Sequence, residues 1–343
     1  MDPLSDVLRA VKLNGAYFYL VEAGAPWSVS ARPARELGPL ILPEVEHLIS
    51  YHILLTGSCW AGAEGDRQVC MKPGDVVVFP HGDAHLLSST EGRRDETVRV
   101  GASPARYLET VLLGPTAARD TSFVCGFLGC DTRPYNPLLA SLPRRLHFSG
   151  VAGGWLQQFP VQVVNESRSG RVGSDTMLTR MAELMFVEVV RRYVEELPLQ
   201  HTGWLAGLRD DVVGPALSAL HGRPSHPWTL PELARTIATS RTVLAERFSQ
   251  LVGVPPMLYL ARWRLQLAAE QLSRSSAKIA TIGAHVGYES EAAFSRAFKR
   301  ETGMSPAAWR RARSGDGGAH RAAARQRASL TARPSTADLP SAR

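Results

Sequence analysis

Long apolar runs are missing from this 343-residue chain. None approaches the roughly 18 consecutive apolar residues that a membrane-spanning helix requires, so no membrane partner is expected. The first residues, MDPLSDVLRA, lack the charged-then-apolar layout of a secretory leader, and a cytoplasmic location is the expectation. Cysteine is scarce. Cys59, Cys70, Cys125 and Cys130 are too few and too scattered to form a disulfide framework at this size. What the chain has is an ordinary globular balance of 44% hydrophobic and 21% charged residues, which excludes a wholly disordered chain and a coiled-coil rod. Its length suits two or three domains.

The net charge of +7 is unevenly spread. Residues 1–223 carry 21 Lys and Arg against 24 Asp and Glu, a balance of −3, whereas residues 224–313 carry 13 against 6, a balance of +7. A near-neutral two thirds followed by a compact basic segment points to a polyanion-binding module joined to something else.

Up to residue 125 the chain reads mostly as strand. Runs rich in β-branched and aromatic residues recur at Ala16 to Val21, Leu48 to Leu55, Val76 to Phe79 and Val98 to Val100. Glycine-bearing turn clusters lie between them at Ala61 to Asp66 and Glu91 to Asp95, as in a sandwich or barrel. After Pro134 the pattern turns helical, with helices expected over Asn136 to His147 and Ser174 to Leu197. The second is apolar around more than half its circumference, so it is buried in its own core or against a partner chain. The stretch from Ser314 onward is rich in Ala, Arg, Ser and Pro without apolar period, and is expected to be disordered.

The basic segment divides into two similar units. Thr229 and Glu232 form a capping box with Pro231 in the first turn, so a helix starts there. A short turn then leads to Ser240, an N-cap for a helix expected to bury Val243, Leu244, Phe248 and Leu251 and to stop at Gly253. After a long helix from about Pro256 to Ser273, the pattern recurs: Lys278 to His285, a Gly287-Tyr288 turn, and a helix capped by Ser290. That helix carries Phe294 and Phe298 inward and ends at Gly303, and Trp309 follows in a last helical turn. Two short helices joined by a tight turn, in a basic context, fit helix-turn-helix geometry.

These residues resemble the DNA-binding domain of the AraC/XylS family of bacterial transcription regulators. The resemblance covers about residues 213–312. It rests on Arg264, Ala268 and Leu272 in the linker helix, on Val286-Gly287-Tyr288, on the Phe-Ser-Arg-Ala-Phe-Lys-Arg core and on the closing Gly-Met-Ser-Pro-x-x-Trp-Arg. One departure is Gly283, where the family more often has alanine. The resemblance implies promoter DNA and RNA polymerase as partners. It places Arg241, Thr242, Ala245 and Glu246 of the first recognition helix, and Glu291, Ala292, Ser295 and Arg296 of the second, towards base edges. Ser240 and Ser290 open those helices, and Arg247, Lys299 and Arg300 are the expected phosphate contacts.

Gly74 to His85 has the spacing G-x5-P-x-G-x2-H: an apolar strand, then a Pro-x-Gly turn that aims a histidine. This resembles the second motif of the cupin superfamily, a small β-barrel, and Tyr51 to Gly57 resembles the matching part of the first motif in AraC-type sensor domains. Catalytic cupins hold a metal with two histidines and a glutamate from that first motif. Here His52 is followed by Leu54 rather than a second histidine, and Thr56-Gly57 replace the carboxylate. Convergence of His47, His52 and His85 would give three ligands. The expectation is instead no metal, no cofactor and no catalytic residue, with His52, Trp60 and His85 lining an effector pocket.

The resulting expectation is an α+β multidomain regulator rather than an enzyme. It assigns residues 1–125 to a cupin-like effector-sensing β-barrel, 126–212 to a helical linker and dimerisation region, 213–312 to an all-α double helix-turn-helix, and 313–343 to a disordered tail. A small-molecule effector and a homodimer are the further partners. Two alternatives stand beside it: a redox or electrophile sensor working through Cys125, and a metal-dependent cupin enzyme.

Overall fold

The computed structural model describes residues 2–11, 13–42, 45–92, 109–115, 119–149, 155–169, 171–198 and 200–313. The expected strand at Val98 to Val100 and the tail from Ser314 lie outside them.

A short helix, α1 (Pro3–Ala10), is capped by Asp2 and leads into the strands. These are β1 (Asn14–Ala23), β2 (Ser28–Ala31), β3 (His47–Thr56), β4 (Cys59–Ala63), β5 (Val69–Met71), β6 (Val76–Phe79), β7 (His85–Ser88), β8 (Glu109–Leu113) and β9 (Thr121–Cys130), with helix α2 (Ala34–Ile41) between β2 and β3. Helix α3 (Pro137–Ser141) and strand β10 (Leu146–Phe148) complete the set. One sheet runs β10-β6-β3-β9-β1-β8 and the other β2-β7-β4-β5. Their inward faces share a core: Leu54, Val77, Phe79 and Phe123 from the first meet Val29, Ala61, Met71 and Leu87 from the second. Period-two alternation sends these residues inward and their neighbours outward. β6 is buried along its whole length, as an unbroken apolar run requires.

Two expectations change here. The helix expected over Asn136 to His147 is only the five residues of α3, capped by Asn136. Leu142 precedes Pro143 and is extended at φ −83°, ψ 145°, as a residue before proline prefers. The chain then returns as β10, pairing antiparallel with β6. β9 also crosses the boundary expected at residue 125, pairing with β3 from Ser122 to Cys130, so the sheet continues well into the segment expected to be helical.

Helices α4 (Trp155–Ser169) and α5 (Ser174–Glu196) follow. α5 buries Leu178, Ala182, Met185, Phe186, Val189 and Val190, while Met177 and Leu184 are 53% and 58% exposed. Next come α6 (Trp204–Gly207), α7 (Val213–Gly222), α8 (Leu230–Thr236), α9 (Arg241–Val252), α10 (Pro256–Arg274), α11 (Ile279–His285) and α12 (Glu291–Thr302). Contacts divide the chain into two compact units, one ending at Gln266 and the other beginning at Leu267. The division falls inside α10, so the first helix-turn-helix is packed in one unit with the sheets.

No helix among the described residues is long and apolar enough to cross a membrane.

Candidate functional site

The two recognition helices are built alike. At α9 the Ser240 hydroxyl accepts from the Val243 N–H at 3.1 Å; at α12 the Ser290 hydroxyl accepts from the Ala293 N–H at 3.2 Å. Each helix ends on a left-handed glycine, Gly253 at φ 80° and Gly303 at φ 76°, which satisfies a last-turn carbonyl at no steric cost. The preceding turns match as well: Thr239 N–H bonds to the Ala234 carbonyl and Tyr288 N–H to the Gly283 carbonyl. The left-handed residue within that turn is Ala238 at φ 54° in the first unit and Gly287 at φ 93° in the second.

Leu244, Phe248 and Leu251 anchor α9, and Phe294 and Phe298 anchor α12. Val243 departs from expectation. It is 46% exposed, because a position one residue before Leu244 lies about 100° away around the helix. Thr242 and Glu246 project opposite the buried stripe of α9, as do Ala292, Arg296 and Lys299 on α12; all five are exposed. Arg241, Glu291 and Arg300 are exposed beside them, and Ala245 and Ser295 are half-buried.

Arg247 is placed differently from the free phosphate contact expected of it. Its guanidinium donates to Asp210 at 2.8 Å, and the same carboxylate accepts from the Val212 and Val213 N–H groups. Arg247 therefore ties α9 to the start of α7.

Other motif residues act in packing. Arg264 donates to the Pro224 and His226 carbonyls at 2.6 and 2.7 Å, holding the segment ahead of α8. The capping box at α8 is half-formed: Thr229 accepts from Glu232 N–H, while the Glu232 carboxylate accepts from His226 at 2.7 Å. Gly283 has a steric reason. A Cβ there would stand 3.1 Å from Phe294, so the missing methyl lets α11 approach α12.

Within the sheets a cavity of about 500 Å³ opens between β1, β2, β3, β7, β9 and α2. Its walls include Tyr19, Val21, Val29, Leu37, Leu87 and Phe127; His52 and Cys125 also line it, and Arg32 and Glu36 are its charged members. His52 and Cys125 face each other because β3 and β9 pair in that register. Cys125 Sγ lies 2.8 Å from His52 Nδ1, His52 Nε2 lies 2.7 Å from His85 Nε2, and His85 Nδ1 lies 2.8 Å from the Asp83 carbonyl. His85 also stacks on Phe79 at 4.0 Å.

One carbonyl assigns every proton in this row. The Asp83 oxygen only accepts, so His85 carries its proton on Nδ1 and accepts at Nε2. His52 must then donate from Nε2, which leaves Nδ1 to accept the Cys125 S–H. Burial keeps both imidazoles neutral: it holds His52 well below the usual histidine range and lowers His85 to about 4. Burial also raises the Cys125 thiol well above its ordinary value, so the sulfur keeps its proton.

His47, His52 and His85 do not converge. His47 Nε2 donates to the Pro80 carbonyl at 2.6 Å, away from the cavity lining. Among the described residues no group of three His, Cys, Asp or Glu side chains is placed to hold a metal, and both ring nitrogens of His52 are engaged, Nε2 with His85 and Nδ1 with Cys125. The row does not fit the metal of the cupin enzymes. Trp60 is also elsewhere: Cys59 and Ala61 on either side of it enter the core, so strand alternation turns Trp60 to the opposite face. His85, bonded to His52, is not itself among the residues lining this cavity, whereas Cys125, absent from the residues expected there, is. Its signal was the alternation of β9, legible only once the β3 register is known.

Residues 2–195 match the cupin family and residues 233–312 match a helix-turn-helix domain family. An AraC-like transcription regulator of Streptomyces lividans is 32% identical over 315 residues, covering 91% of this chain and 98% of the relative. The transcriptional regulator AlkR of Acinetobacter baylyi is 28% identical over 316 residues, covering 90% and 99%. The DNA-binding domain of AdpA, solved in complex with a target DNA, is 28% identical over 29% of this chain and 91% of its own, with a TM-score of 0.27. The chain therefore belongs to the AraC-like family of transcription regulators, with a cupin domain ahead of its helix-turn-helix region.

Proposed function

We propose that this regulator binds promoter DNA sequence-specifically through α9 and α12, and that a small molecule in the sheet cavity controls that binding. The observation that carries the reading is the repetition of one device: a serine cap, a buried apolar stripe, a left-handed glycine and an exposed face opposite the stripe, in each helix. Such a face enters the major groove, where Glu246 accepts from base amino groups and Arg296 donates to guanine. Lys299 and Arg300 hold phosphates. The cavity is the effector site because it is concave, mostly apolar and lined by few polar groups. Effector binding shifts the population of DNA-competent arrangements, and with it contact with RNA polymerase.

On this reading the protein acts in the cytoplasm and is not an enzyme. Residues 213–312 form the DNA-reading part, and the exposed Met177 and Leu184 of α5 form the surface of a homodimer. The test is duplex binding by the full chain across a range of salt. Affinity should fall steeply as salt rises, because phosphate contacts release counterions. Folded protein that fails to bind any duplex at low salt contradicts the reading.

A further inference from the structure

We propose that the effector cavity selects an uncharged, predominantly apolar molecule, whose apolar part rests on the Cys125–His52 floor and whose polar end meets Arg32 and Glu36. The inference rests on the effector reading of the cavity and adds to it the class of ligand.

The floor has no free hydrogen-bonding capacity to give. The Cys125 proton is committed to His52 Nδ1, the His52 proton to His85, and the His85 proton to the Asp83 carbonyl. What Cys125 still presents is a thiol sulfur, a weak acceptor. An anionic group driven to this floor finds no cation and no spare donor, and an ammonium finds no carboxylate. Either ion loses its hydration without compensation.

The walls agree with the floor. Tyr19, Val21, Val29, Leu37, Leu87 and Phe127 supply contact area but no charge. The charged members of the lining, Arg32 and Glu36, are both exposed and bear opposite signs. Arg32 lies just ahead of α2 and Glu36 in its first turn. Together they offer a donor and an acceptor to one hydroxyl, carbonyl or amide, with no net charge to reward an ion.

The experiment uses the full chain and the neutral apolar dye N-phenyl-1-naphthylamine. Saturable dye fluorescence is expected, and it should vanish in Cys125→Phe, which fills the cavity from its floor. Ala31→Phe, which fills it from the half-exposed end of β2, should act alike and decides the matter if the first variant does not fold. Circular dichroism and cooperative melting establish folding in each. Displacement by 1-decanol, decanoate and decylammonium then reads the class. Decanol should displace the dye at a concentration at least about tenfold below either ion, equivalent to about 1.4 kcal/mol. Equal displacement by an ion overturns the ligand class while leaving the cavity as effector site. Dye binding unchanged in folded filling variants overturns the cavity itself, and the DNA-binding reading stands on its own test.

Discussion

Gln266 and Ala10 are 256 residues apart, yet the Gln266 Nε2 donates to the Ala10 carbonyl at 3.1 Å. The same amide accepts from the Tyr135 N–H at 3.0 Å through Oε1, and the side chain is 2% exposed. One residue of α10 thus stitches the end of α1 to the segment ahead of α3. Trp204 and His221 support the same place by bonding to the Tyr259 hydroxyl at 2.8 and 2.7 Å.

Gln266→Leu keeps the volume but leaves a buried carbonyl and a buried N–H without partners. Each orphaned group costs about 1–3 kcal/mol, so a loss of about 2–4 kcal/mol is expected. Urea unfolding of the full chain, followed by tryptophan fluorescence, reads it. A loss below about 0.5 kcal/mol contradicts the contact.

Acid should weaken the sheet domain through its buried histidines. His85 is lowered to about 4 in the fold by burial, and it returns to about 6.5 when unfolded. Below pH 6.5 the unfolded chain binds a proton that the folded chain refuses, so stability falls as pH drops towards 4 and is unaffected by this group above 6.5. The full window is worth about 3 kcal/mol. Unfolding midpoints at pH 7.5, 6.0 and 5.0 should fall in the wild type. His85→Leu should be weaker at pH 7.5, because His52 loses its acceptor, but should show a flatter slope. Identical slopes contradict the assignment.

The two turns predict opposite effects of one exchange. Ala238 is held at φ 54°, where Gly287 serves the second unit at φ 93°. A left-handed conformation costs a residue with a Cβ about 1 kcal/mol. Gly287→Ala should therefore destabilise by about that amount, and Ala238→Gly should be neutral or slightly stabilising. Thermal melts of the two variants compare them directly.

On DNA, three cations should behave in three ways. Arg296→Ala should cost about 1–3 kcal/mol on the cognate site and flatten discrimination at one base pair. Lys299→Ala should weaken all duplexes alike and lower the salt slope by about one unit. Arg247→Ala should leave that slope nearly unchanged, since its guanidinium is paired with Asp210. Titrations on cognate and mismatched duplexes at several salt concentrations separate these outcomes.

Much of this was legible in the sequence, because helix caps, glycine stops and apolar spacing are local. Ser240, Gly253, Ser290 and Gly303 announce their helices without reference to anything distant. The strand from Val76 to Phe79 is equally local, a four-residue apolar run. What failed needed either the angle between neighbours on a helix or long-range information. Val243 matches the core in apolarity alone, and its angle of about 100° from Leu244 on the helix turns it outward. Trp60 looked like pocket because strand alternation fixes which residues share a face but not which face is inward. The partnership of Cys125 with His52 depends on the β3–β9 register, and that of Arg247 with Asp210 spans 37 residues; neither has a local signature.

The most direct test of the central claim is selection of duplexes from a random pool by the full chain and by Glu246→Ala and Arg296→Ala. The wild type should enrich a defined motif. Glu246→Ala should relax base preference in one part of it and Arg296→Ala in another, with the remaining positions retained. A wild-type pool without an enriched motif, or variants that lose affinity for every sequence equally, would contradict recognition of DNA by both helices.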